Sequence, residues 1–84
     1  MDVLDGNVIG GLLREIFRAE MTTAAATCAA CGQTRPMAEC VVYLGAPGAV
    51  VRCRSCTAVL MVVTHHHGMN CVDLEGLTAL VPAG

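Results

Sequence analysis

Apolar residues follow two different rhythms along this chain. Near the start, Val8, Ile9, Leu12, Leu13, Ile16 and Phe17 recur at helical spacing and form one stripe. Gly11, Arg14, Glu15 and Arg18 fall mainly on the other side. Residues 1–21 therefore read as an N-terminal amphipathic helix with a lead-in, and Asp5 or Asn7 is placed to cap it. Gly10 and Gly11 each lower helix propensity by about 1 kcal/mol. Such a helix needs something to pack against: the rest of the chain, a second copy or a larger partner.

From residue 22 onward the rhythm changes to strand and turn. Thr22–Thr27 is a small-residue connector or a short lead-in strand. Glu39–Leu44 contains Val41, Val42 and Tyr43, all good strand formers. Gly45-Ala46-Pro47-Gly48 signals a turn, followed by a strand at Ala49–Cys53 and another at Ala58–His66. Gly68-Met69-Asn70 signals a second turn, and Cys71–Leu74 a short last strand. In Glu75–Gly84, Leu77, Leu80 and Val81 are free to dock or to stay loose. Val59 to Val63 are apolar in succession, so that strand needs cover on both faces. The helical stripe is the obvious lid, with a dimer or a partner as the other candidate.

The fold class expected is a small α+β protein: an N-terminal amphipathic helix, then a zinc-ribbon antiparallel sheet of three to four strands. Its division is 1–21 for the helix and 22–84 for the ribbon and C-terminal tail. At 84 residues a hydrophobic core alone is marginal, and chains of this size usually add a metal, disulfides or oligomerisation. Apolar residues make up 55% of the chain, which excludes disorder. Phe17 and Tyr43 are its only aromatics, so aliphatic residues and Met must fill the core.

The candidate staple is a metal. Cys28-x2-Cys31 and Cys53-x2-Cys56 are two C-x-x-C pairs a hairpin's length apart, the pattern of a tetrahedral site. Each such turn lets two thiolates reach one ion while backbone N–H groups point at the sulfurs. Gly32 follows the first pair, where a residue able to take positive φ is often needed. Thr57 stands at the matching place in the second, a mild departure. Four thiolates leave no open coordination position, so the site reads as structural zinc and the protein as no enzyme. Iron is the alternative occupant, as in rubredoxin-like electron carriers.

Charge narrows the partners. The net charge is −2, and all five basic residues are arginines. That balance, with so few stacking aromatics, weighs against a nucleic-acid-binding ribbon, which remains a further alternative. Arg35, Arg52 and Arg54 lie near the cysteine pairs and read as local compensation for an anionic site. The acidic start lacks the basic flank of a secretory signal, and no apolar run is long enough to span a membrane. The expected location is the cytoplasm, where reduced thiols favour metal over disulfides.

Other residues invite chemistry less strongly. His65, His66 and His67, with Cys71 and Asp73 across the turn, suggest a second metal site. In a strand His65 and His67 would share a face and His66 would oppose them. The plainer reading is a polar hairpin end, because short His tracts bind metals weakly without a preformed pocket. Cys40 and Cys71 read as buried inert thiols, and Met37, Met61 and Met69 as gap-fillers.

The opening Met1–Asn7, Ala19–Thr23, Cys28-Ala29-Ala30-Cys31-Gly32, Val42–Gly48 and Val51–Cys56 together resemble a family of small zinc-ribbon proteins of unknown function from high-GC Gram-positive bacteria. The likeness runs over most of the chain; the histidine run is not part of it. Genes of that family neighbour molybdopterin- and flavin-dependent oxidoreductases. The resemblance thus implies an accessory subunit or redox partner of such an enzyme. A non-catalytic adaptor docking on a larger protein is the leading expectation, ahead of the electron carrier and the nucleic-acid binder. A homo-oligomer is compatible with each.

Overall fold

The structure, a computed structural model, describes residues 9–45 and 48–82, and the backbone of 2–5. Among the described residues, eight strands and one α-helix make a small α+β fold with two antiparallel sheets. Strand β1 (Asp2–Asp5) pairs with β4 (Val41–Gly45), and β5 (Gly48–Arg52), β6 (Val59–His66) and β7 (Met69–Asp73) follow in order across the same sheet. The second sheet has β2 (Ala25–Cys28) between β3 (Thr34–Pro36) and β8 (Leu77–Val81).

Period-two alternation builds the larger sheet. One face carries two cross-strand rows: Val42, Val51 and Met61, then Leu44, Ala49, Val63 and Val72. Val42, Val51 and Met61 are fully buried, and Ala49 and Val63 nearly so. Side chains directly opposite on antiparallel strands touch, and that contact stabilises the sheet. The register slips between Val51 and Arg52, where Val51 faces Met61 and Arg52 faces Val59. Leu60 is thus an extra residue, a bulge that lets consecutive Leu60 and Met61 both be buried. The apolar run in β6 is covered chiefly on this side, since Val59 is exposed and Val62 half-buried.

Helix α1 (Gly10–Phe17) contributes to the same core. Leu13 is fully buried, Leu12, Ile16 and Phe17 are partly buried, and Gly11, Arg14 and Glu15 are exposed. The helix ends where Arg18 turns left-handed at φ 55° and its N–H bonds Arg14 O. Ala26 and Cys28 of β2 join the cluster from the second sheet, with Leu77 and Leu80 of β8 packed against it.

Several elements differ from expectation. The helix is eight residues long and is not the first element, because β1 precedes it. Asp5 lies in β1, and the position before the helix is Ile9, with no side-chain cap. Asn7, Val8 and the Ala46-Pro47 centre of the expected turn lie outside the described residues. Eight strands in two sheets replace a single sheet of three to four. The additional strands are short and lack alternation, so only pairing with a neighbouring backbone makes them strands. The tail supplies one of them, β8, which pairs with β2. The hairpin turn is His67-Gly68, both at positive φ (51° and 76°), so β7 begins at Met69. Among the described residues, no helix is long and apolar enough to cross a membrane.

Candidate metal centre

Each C-x-x-C pair sits on a turn of the same construction. In the first, Cys28 N–H donates to Gln33 O and Gly32 N–H donates to Cys28 O, both at 2.9 Å. In the second, Cys53 N–H donates to Ala58 O and Thr57 N–H donates to Cys53 O, again both at 2.9 Å. Gly32 and Thr57 take the left-handed conformation at φ 76° and 65°. The two knuckles are therefore equivalent in hydrogen bonding and backbone, despite the change from Gly to a β-branched residue.

Cys28 ends β2 and Cys53 follows β5, so the knuckles bring the two sheets together at one point. The Sγ atoms of Cys28, Cys31, Cys53 and Cys56 all lie within 4.8 Å of one another. Cys28 and Cys56 approach to 3.6 Å, and Cys31 and Cys53 to 3.7 Å. Thiolates about 2.3 Å from a tetrahedral ion stand about 3.8 Å apart, so this donor set fits a metal. A disulfide requires about 2.05 Å, and all six cysteines are free. Cys28 and Cys53 are buried, whereas Cys31 and Cys56 face solvent.

Electrostatics favours a cation at the centre. The N–H groups of Cys31 and Ala30 point at Cys28 and lower its pKa. Burial works to raise Cys53, but the N–H groups of Cys56 and Ser55 outweigh it and bring it down to about 6. The Ala58 N–H favours the Cys56 thiolate, yet burial and the three neighbouring thiols push Cys56 up to about 11. The backbone thus favours the thiolate at Cys28 and Cys53, while burial and the neighbouring sulfurs hold the proton on Cys56. A bound cation removes that conflict.

A polar clasp joins the knuckles. The Arg35 guanidinium donates to Gln33 Oε1 at 2.7 Å and to Ser55 Oγ at 2.6 Å, and Ser55 Oγ donates to Gln33 Oε1 at 2.7 Å. Gln33 belongs to the first knuckle's hairpin and Ser55 to the second knuckle. Arg35 also pairs with Glu39 at 3.6 Å. Arg54 Nε donates to Glu39 O at 2.6 Å, and Arg52 donates to Thr57 O at 3.0 Å while lying over the Tyr43 ring. All three arginines are thus engaged within the molecule. The roles of Gln33 and Ser55 were not legible in the sequence, because Ser55 lies 20 residues from Arg35 and 22 from Gln33.

The remaining candidates do not converge. Among the described residues, the four cysteines form the sole group of three or more His, Cys, Asp or Glu placed to share an ion. His65 hydrogen-bonds Asn70 at 2.9 Å, and His66 and His67 stack edge to face at 4.0 Å. His67 sits in the turn, so strand alternation does not place it with His65. Cys40 is fully buried, and burial, with Cys53 nearby, pushes its thiol up to about 11. Cys71 is exposed on β7, contrary to the expectation of a buried thiol, because alternation puts Val72, not Cys71, on the core face. Met37 and Met61 are fully buried fillers, but Met69 is exposed.

Comparison with curated proteins and with solved structures found no match. A family model, described as a family of unknown function, matches residues 1–83. With nearly the whole chain matched, including both knuckles, this protein belongs to the DUF6510 family of unknown function.

Proposed function

We propose that Cys28, Cys31, Cys53 and Cys56 hold one structural zinc ion in a zinc ribbon. On this reading the protein is a non-catalytic adaptor that docks on a larger protein, such as a molybdopterin or flavin oxidoreductase in the cytoplasm. The observation that carries the zinc assignment is the convergence of four sulfurs within 4.8 Å. A closed four-thiolate shell leaves no coordination position for substrate, which supports a structural role. The docking surface proposed is the face of the larger sheet opposite the core. There Tyr43, Val50 and Val62 form a cross-strand row, each half-buried, with exposed Val59 nearby. An apolar patch of this kind on so short a chain fits a protein partner.

Elemental analysis of native protein, together with a pull-down, tests both halves. The expected result is one zinc per chain and a partner whose capture is lost in Val62→Asp. A metal-free protein refutes the zinc assignment, and a chain that co-purifies with no partner refutes the adaptor. The surface position of Cys31 and Cys56 favours one second reading, an iron-loaded electron carrier, because a surface metal can exchange electrons. A red, reducible protein establishes that reading in place of the first.

A further inference from the structure

Four strands form the edges of the two sheets, and they differ in how well they are guarded against pairing. Edge strands in soluble proteins are normally blunted by charge, proline or a bulge. Strand β1 starts with Asp2 and ends with Asp5, so antiparallel pairing with its own copy would set acids opposite each other. Strand β3 carries Pro36, and β8 pairs through an irregular register near Cys28. Strand β7 has neither proline nor bulge, and it has an acid at one end only. Its register with β6 is regular from Val62 opposite Asp73 to His66 opposite Met69, and its one charge is at its end. Met69 is 65% exposed, and Asn70, Cys71 and Asp73 are exposed with it.

The turn determines which backbone groups of β7 are free. With the two-residue loop His67-Gly68 at positive φ, His66 and Met69 form the hydrogen-bonded closing pair. Alternation then directs the N–H and C=O of Cys71 and Asp73 toward β6, and those of Asn70 and Val72 away from the sheet. The two outward-facing residues flank Cys71, the middle residue of the strand.

We propose that two copies of this chain pair antiparallel through β7 about a two-fold axis at Cys71, joining the two five-stranded sheets into one. In this register Asn70 of each copy exchanges two backbone hydrogen bonds with Val72 of the other. Asp73 meets Met69, so no like charges face each other. Cys71 meets Cys71 in a non-hydrogen-bonded pair, where Cα atoms approach to about 4.5 Å and a small side chain is needed. The proposal is independent of the zinc assignment and of the adaptor's docking face.

The test uses the full chain as purified with its metal. Light scattering across concentration is expected to give the dimer mass, and a short bismaleimide to link Cys71 to Cys71. Asn70→Pro removes one outward N–H and, toward β6, only the exposed side-chain bond to His65. It is expected to give monomers and abolish the cross-link with an unchanged circular dichroism spectrum, whereas Asn70→Ala, which loses the His65 bond alone, is expected to stay dimeric. Hydrogen exchange on the unaltered protein supplies a readout that needs no variant. The Asn70 and Val72 amides are expected to be protected at high concentration and to lose protection on dilution. A monomer at every concentration overturns the proposal. So does a dimer in which Cys71 does not cross-link and those two amides exchange freely.

Discussion

Thr57 holds the same left-handed conformation in the second knuckle that Gly32 holds in the first, at φ 65° against 76°. Each residue donates its N–H to the first cysteine of its pair. The conformation costs a glycine nothing and a β-branched residue about 1–2 kcal/mol. Thr57→Gly is therefore expected to stabilise the metal-loaded protein by about 1 kcal/mol, read as a higher denaturant midpoint. The Arg52 bond survives, since it uses the Thr57 carbonyl. Gly32→Val, the reverse exchange, is expected to destabilise by a similar amount.

Metal removal is expected to unfold residues 28–75. A four-thiolate zinc site contributes about 10–16 kcal/mol of apparent binding energy, against a usual total stability of about 5–15 kcal/mol. The cluster also joins the ends of the two sheets, so its loss separates them. Circular dichroism before and after verified chelation measures this, and an unchanged spectrum is the contrary result.

Metal affinity is expected to fall as pH falls, because four thiolates must form and any protons they carry must be displaced. The metal-free chain has Cys53 at about 6 and Cys56 at about 11. Near neutrality Cys53 is largely ionised and Cys56 is not, so binding already releases protons. Below pH 6 Cys53 is protonated as well, and the dependence steepens. Competition with a chelator on either side of that pH reads the slope.

The Arg35 clasp predicts a kinetic effect. Arg35→Ala removes the bonds to Gln33 and Ser55 that join the knuckles. Groups that orient metal ligands typically contribute about 10–100-fold in affinity. Faster zinc transfer to a chelator is expected, by about tenfold, with the spectrum of the loaded protein unchanged. Ser55→Ala is expected to act in the same direction and more weakly.

Gly76 lies against β6. A Cβ there would stand 1.8 Å from Val59 O and 2.6 Å from Leu60 Cα, both backbone atoms that cannot yield. Gly76 O also accepts the Ala29 N–H at 2.9 Å, so this residue ties the first knuckle to the C-terminal segment. Gly76→Ala is expected to destabilise by about 3 kcal/mol or more. Gly11→Ala, with nothing within 4 Å on the exposed side of α1, is expected to stabilise by about 0.5–1 kcal/mol. Denaturant titration of the two variants makes the comparison.

Local signals determined much of this molecule from the sequence alone. The two C-x-x-C pairs were legible because four residues suffice to make each knuckle, whatever surrounds it. Strands β4, β5 and β6 were legible through the β-branched residues and the turn signals between them, and the helical stripe through its spacing. Tertiary structure alone decided the rest. Asp2–Asp5 and Leu77–Val81 become strands, and Ala25–Cys28 a strand rather than a connector, because β4 and the partners in the second sheet offer them backbone groups. The same dependence on distant partners brings Ser55 to Arg35 and places Gly76 against β6. Periodicity and spacing report what a segment does with its own neighbours; pairing between segments far apart in the chain is settled only when the whole core closes.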